Sequence, residues 1–135
     1  MRDEVLVSMC STSLMRFVGF LLYLDVGVIQ NAKGLIAGPE AGLKEFLGHL
    51  QNELRKGPGG GFFMGKEPGR ADIMLEFPIS SIKHRDWVGD FKKEFPDLNA
   101  WLMRVYDRPA WKRGLEKGWD GVYDLRVFPK IKERL

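Results

Sequence analysis

Apolar residues recur at helical spacing along most of this chain, and the strict alternation of a half-buried strand is almost absent. The apolar positions of residues 14–29 predict one long, mostly buried helix that starts between Asp3 and Ser13, with Gly34 as its stop. Gly38-Pro39 predicts the next start, glycine as N-cap and proline at the first helical position. Leu43, Phe46, Leu47, Leu50 and Leu54 follow at i, i+3, i+4, i+7 and i+11, a single amphipathic stripe. Lys56-Gly57-Pro58-Gly59-Gly60-Gly61 cannot sustain a helix and predicts a flexible loop. A further helix from Arg70 presents Ala71, Met74, Leu75, Ile79 and Ile82, and Pro78 within it predicts a kink or an end near Phe77. Phe95-Pro96-Asp97 restarts a helix that turns Leu98, Trp101, Leu102 and Val105 inward. Arg108-Pro109 opens another, with Trp111 and Leu115 facing in. After Gly118 the pattern is less regular, with Trp119, Tyr123 and Phe128 expected to pack back on the rest. The pattern predicts one all-α domain over residues 1–135, a helical bundle and not a βαβ fold.

One helix start is marked more strongly than the others. A polar, glycine-bearing turn over residues 63–69 runs straight into the apolar helix, and Asp72 stands three residues past the expected N-cap, Gly69. A carboxylate there can fold back onto the N-cap N–H, as the acidic partner of a capping box does. It also sits well at the positive end of the helix dipole. Asp72→Ala is therefore expected to destabilise the domain markedly.

Composition narrows the function classes. The chain has 135 residues, 44% of them hydrophobic, enough for a sizeable core. The formal net charge is +3, with both signs interspersed, which describes solvated faces and not a nucleic-acid footprint. Residues 104–134 are richer in Lys and Arg, but Asp107, Glu116, Asp120, Asp124 and Glu133 interrupt them. One cysteine, Cys10, excludes an intramolecular disulfide and suits a reducing compartment. With no histidine near it in sequence, Cys10 reads as an inert thiol. His49 and His84 are far apart and form no recognisable metal site. Arg16 and Asp25 bracket the apolar run 17–24 too closely for a membrane span of about 20 residues. Asp3 and Glu4 spoil the basic region a secretory signal needs. A cytoplasmic protein without membrane or nucleic-acid partners is expected. Residues 60–66 nearly spell a phosphate loop, but Glu67 replaces the Ser or Thr that would hold magnesium, and no strand precedes it.

Several segments in fixed order carry a family resemblance. They are Ser13-Leu14-Met15, Phe62-Phe63-Met64-Gly65, Pro68-Gly69-Arg70-Ala71-Asp72-Ile73, Leu75-Glu76-Phe77-Pro78-Ile79, Phe95-Pro96-Asp97-Leu98 with Trp101, and Arg108-Pro109-Ala110-Trp111. Together they resemble the C-terminal helical domain of glutathione S-transferases, most closely the fungal-type ones, with the specific part of the match at about residues 62–117. The family usually has Ser or Thr where this chain has Gly69. Glycine there costs only a few tenths of a kcal/mol, so Gly69→Ser is expected to be neutral or stabilising. The resemblance implies the second half of a two-domain enzyme, without the N-terminal thioredoxin-like domain that binds glutathione and activates its thiol. It therefore implies no catalytic residue and no metal ligand in this chain, and no glutathione bound by it alone, although glutathione is the family's co-substrate. It implies instead the wall of a pocket for a hydrophobic electrophile, with Met15, Phe17, Tyr23 and Trp119 as candidate lining. Gly69 and Asp72 are structural capping residues in the same reading. A homodimer, or a partner protein covering an exposed apolar face, is also implied. The alternative is a non-catalytic interaction module of the kind found in elongation-factor and tRNA-synthetase complexes.

Overall fold

Leu6, Cys10, Leu14 and Val18 are spaced four apart, and an α-helix turning about 100° per residue rotates such a row by about 40° at each step. The chain absorbs that drift by widening one turn. In the computed structural model, which describes residues 1–25, 37–118, 121 and 123–125, α1 (Arg2–Met9) passes through a π-helical turn (Cys10–Leu14) into α2 (Met15–Asp25). The extra residue of a π turn keeps Leu6, Cys10, Leu14, Val18, Leu21 and Leu24 on one buried stripe. The helix starts at Arg2, ahead of the expected window, and buries that stripe alone, so it is not mostly buried. The residues from 26 to its expected end at Ile29, and the Gly34 stop, lie outside the described residues. Counted from its true start, the helix Arg2–Leu24 is long and apolar enough to cross a membrane by length and composition, which the run 17–24 taken alone was not. Its apolar stripe lines the core of this fold.

α3 (Ala37–Lys56) opens at Ala37 with Pro39 in its first turn, in place of the expected N-cap at Gly38. Leu43, Leu47 and Leu50 are fully buried, while Phe46 and Leu54 are half-buried against the same core. The glycine-rich segment 57–61 that follows is non-helical, as expected, and leads into a turn at Phe62–Gly65. Phe62 and Gly65 exchange backbone hydrogen bonds of 3.1 and 3.2 Å, and Phe63 is buried beneath them. Gly60 has φ +91, and a Cβ on it would stand 2.7 Å from the Lys66 backbone, so only glycine fits.

α4 (Arg70–His84) runs on through Pro78 and does not end near Phe77. Proline has no N–H to give the carbonyl four residues back, which is that of Met74. The Cys10 thiol donates to this oxygen at 3.4 Å from the π turn. Ala71, Leu75, Ile79 and Ile82 are buried as the spacing predicts. Met74 is not: it turns outward with Ile73 and Phe77, because the side facing α1 and the π turn is filled by their stripe. α5 (Phe91–Glu94) is a single turn without a sequence-based expectation, and Asp90 caps it by accepting the Lys93 N–H at 3.1 Å. α6 (Pro96–Asp107) buries Leu98, Trp101, Leu102 and Val105. In α7 (Pro109–Gly118), Trp111 and Leu115 are the half-buried positions on an otherwise exposed helix. The all-α class is observed: among the described residues there is no strand, only the isolated Phe62–Gly65 bridge. α4 lies at the centre, packed on α1, the π turn, α2 and α6.

Candidate functional site

The start of α4 gathers the densest set of polar contacts in the core. Asp72 is 1% exposed. Its Oδ1 accepts the Phe63 N–H at 2.8 Å and the Trp101 indole N–H at 2.8 Å, and its Oδ2 accepts the Gly69 N–H at 2.9 Å. One carboxylate thereby ties the Phe62–Gly65 turn, the N-terminus of α4 and the middle of α6 together. The ring of Trp101 meets Phe63 edge-on at 5.4 Å between centroids.

Gly69 has no side chain to accept an N–H of the first turn, and a residue far away in sequence does so instead. Asp3 Oδ1 accepts the Ala71 N–H at 2.8 Å, at the position an N-cap hydroxyl would serve. Asp3 Oδ2 accepts Arg70 Nε at 3.1 Å. The neighbouring Arg2 donates from Nε to the Phe63 carbonyl at 3.1 Å, and from its other nitrogens to the Glu53 carbonyl and carboxylate. The expectation for Gly69→Ser is corrected here. A Cβ at Gly69 would fall 2.5 Å from Met64 Cγ and 3.0 Å from Met64 Cβ. Atoms so near the backbone yield little, and overpacking of this kind costs about 1–3 kcal/mol. Gly69→Ser is expected to lower the urea midpoint, and Met64→Ala in the same chain to recover part of it. An unchanged midpoint for Gly69→Ser would contradict the clash.

Of the four pocket candidates, Met15, Phe17 and Tyr23 lie on α2. Met15 and Phe17 on α2 are half-buried and pack against the core. The Phe17 ring lies so close over α3 that a Cβ on Gly42 would stand 2.8 Å from it. Tyr23 is 53% exposed. Six residues separate it from Phe17, which sets the two about 120° apart around the helix. Trp119 lies outside the described residues.

A second polar cluster had no sequence-based expectation. Glu76, one turn beyond Asp72, is 7% exposed. Ser80 donates to its Oε1 at 2.6 Å, Tyr106 hydrogen-bonds to the Ser80 hydroxyl, and the Tyr123 hydroxyl bonds to the Glu76 carboxyl. The rings of Tyr106, Trp111 and Tyr123 touch one another with centroids 5.1–6.0 Å apart. His84 meets Tyr123 at 5.8 Å and accepts the Leu125 N–H on Nδ1 at 3.4 Å. Burial pushes the Glu76 carboxyl above its usual range, against the pull of its two hydroxyl donors. Burial likewise raises both phenols, and the Glu76 charge adds to it. The legible hints of this cluster were Trp111 expected to face in, Tyr123 expected to pack back on the rest, and the i, i+4 pair Glu76 and Ser80. A cleft of about 250 Å³ opens beside it, lined by Ile73, Glu76, Val105, Arg108 and Trp111 among others.

A carboxyl whose folded-state pKa exceeds its unfolded value holds its proton more tightly when folded. Its ionisation therefore removes stability as pH rises from the unfolded pKa to the folded one, and the loss persists above. Glu76→Gln keeps an oxygen for Ser80 and has nothing to ionise. It is expected to melt above the wild type at pH 7, with the difference closing below about pH 4. A wild type that melts higher at pH 7 would contradict this.

The burial that perturbs Glu76 acts on Cys10 as well, whose thiol is pushed up to about 11. It is a donor to Met74 and not a nucleophile at neutral pH. Lys66 does not open a helix as a phosphate-loop lysine would, since α4 begins at Arg70. Among the described residues no three His, Cys, Asp or Glu side chains group to hold a metal.

Comparison with known families finds a match: the profile of the glutathione S-transferase C-terminal domain covers residues 18–109, more than half of the chain. No curated protein and no solved structure matches it. The matched span runs from α2 to the start of α7 and includes the Asp72 hub and the central helix. The chain belongs to the glutathione S-transferase family and is a C-terminal helical domain of it.

Proposed function

We propose that this domain forms the electrophile side of a glutathione transferase, with glutathione held and activated by the enzyme's thioredoxin-like half. The family's co-substrate is glutathione, and no residue of this chain is assigned to thiol activation. The observation that carries the reading is the outer face of α4. Ile73 is 71% exposed and Phe77 41% exposed one turn on, with Met74 beside them. Large apolar side chains grouped on the central helix of a domain mark a surface that another unit covers. Met15, Phe17, Tyr23 and Trp119 remain the proposed lining for a hydrophobic electrophile. Fungal-type membership, cytoplasmic placement and a homodimer through the first two helices belong to the same proposal.

Calorimetry with reduced glutathione is expected to detect no binding to this chain alone. Conjugation of a model electrophile is expected only after a thioredoxin-like half is supplied. Tight glutathione binding by the chain on its own would overturn the assignment.

A further inference from the structure

The cleft beside the aromatic cluster ends in an acid that is paired with no cation among the described residues. Glu76 is almost fully buried, and among the described residues its partners are the Ser80 and Tyr123 hydroxyls, with no lysine, arginine or histidine paired to it. A carboxylate accepts up to about four hydrogen bonds, so two hydroxyls leave capacity. A buried charge without a counter-ion is costly, and pairing it relieves the cost. Trp111 lines the same cleft and offers an aromatic surface that favours a cation. Ile73 and Val105 supply apolar wall.

We propose that this cleft binds a small apolar amine, its ammonium donating to the Glu76 carboxylate and its hydrocarbon part lying along Ile73, Val105 and Trp111. An organic acid fits less well. Arg108, the cation in the cleft lining, is only half-buried, where water screens it, and an acid would also face Glu76 and Asp72. The three Asp72 hydrogen bonds already occupy that carboxylate, which leaves Glu76 as the receiving group. The cleft shares Ile73 with the α4 face proposed above to be covered, while Met15, Phe17 and Tyr23 do not line it.

Titrations of the full chain with benzylamine, benzyl alcohol and benzoate, followed through the Trp111 indole and Glu76 amide resonances, test it. Benzylamine is expected to bind saturably, and at least about tenfold more weakly to Glu76→Gln, the scale of one charge-assisted hydrogen bond. Benzyl alcohol is expected to bind weakly and equally to both chains. Wild-type affinity for benzylamine should tighten with rising pH as Glu76 ionises. The groups around Glu76 are Tyr106, Tyr123, His84, Asp72 and Arg108. His84 is also an ionisable side chain, so a flat pH series for Glu76→Gln assigns the trend to Glu76. Equal benzylamine affinity in the two chains, no binding, or tighter binding of benzoate would overturn the proposal. Should Glu76→Gln not fold, a pH-independent wild-type affinity overturns it and the predicted tightening supports it.

Discussion

Asp72→Ala is expected to cost about 3–5 kcal/mol, the largest loss of any single polar substitution in this domain. Three donors lose their acceptor together: the Phe63 N–H, the Gly69 N–H and the Trp101 indole N–H. Each buried donor left unpaired costs about 1–3 kcal/mol, and water admitted to the gap recovers part of the sum. Domains of this size have about 5–15 kcal/mol of stability in all, so the variant is expected to be largely unfolded at 37 °C. Asp72→Asn should fall between: its amide oxygen can serve the two donors of Oδ1, while the amide nitrogen meets the Gly69 N–H donor to donor. Urea unfolding followed by tryptophan emission reads both, because Trp101 is fully buried and bonded to Asp72. A loss below about 1 kcal/mol for Asp72→Ala would show that the three donors find other acceptors.

Removing the N-terminal tie comes second in size. The double variant Arg2→Ala/Asp3→Ala is expected to cost about 2–3 kcal/mol. Loss of the cap on Ala71 accounts for about 1 kcal/mol. Loss of the Arg2 hydrogen bonds to the Glu53 and Phe63 carbonyls accounts for about as much again. The exposed Arg70–Asp3 pair adds little. Glu4→Ala is the control, since among the described residues Glu4 pairs with the exposed N-terminal amine alone and should move the melting temperature hardly at all. The two capping devices share one helical turn, so Asp3→Ala and Asp72→Asn should not add. Calorimetric melts of the single and double variants give the coupling. A double variant at Arg2 and Asp3 that melts with the wild type would show that the tie contributes nothing.

Both predictions concern the same helix start, and they differ in how visible it was beforehand. Asp72 and Gly69 are three residues apart, so their hydrogen bond follows from local geometry that any helix start imposes. Asp3 lies 68 residues from Ala71 and outside the family match, which begins at residue 18. Along the chain it registered as the edge of a helix-start window and as an acid incompatible with a secretory signal. Its place at the head of α4 follows from the docking of α1 on α4, which no spacing within either helix encodes. The same docking explains why Gly69 tolerates the missing hydroxyl and why serine is expected to be worse there. Met64 and Asp3 already occupy the space above it.

The helices and most of their inward faces were readable because helical periodicity is a property of residues within one or two turns. Leu43, Leu47 and Leu50, or Leu98, Trp101 and Val105, declare their side by spacing alone. The exceptions mark where neighbours intervene. Met74 has the spacing of a core residue yet faces out, and Pro78 looks like a stop yet sits mid-helix. The carbonyl that Pro78 leaves without its partner is met by a thiol 64 residues away. The Glu76 cluster draws Ser80 from α4, Tyr106 from α6, Trp111 from α7 and Tyr123 from beyond it.

What could be read from the order of residues was therefore everything that closes within a turn: the all-α class, the stripes, the family's ordered segments and the half-cap at Gly69 and Asp72. What depended on the packed molecule was how the leftover polar groups find partners. Helix ends, a mid-helix proline and a buried acid each leave a demand that local sequence states but cannot meet. Elements brought together only by burial of the core supply Asp3, Cys10 and the ring cluster around Glu76 to meet it.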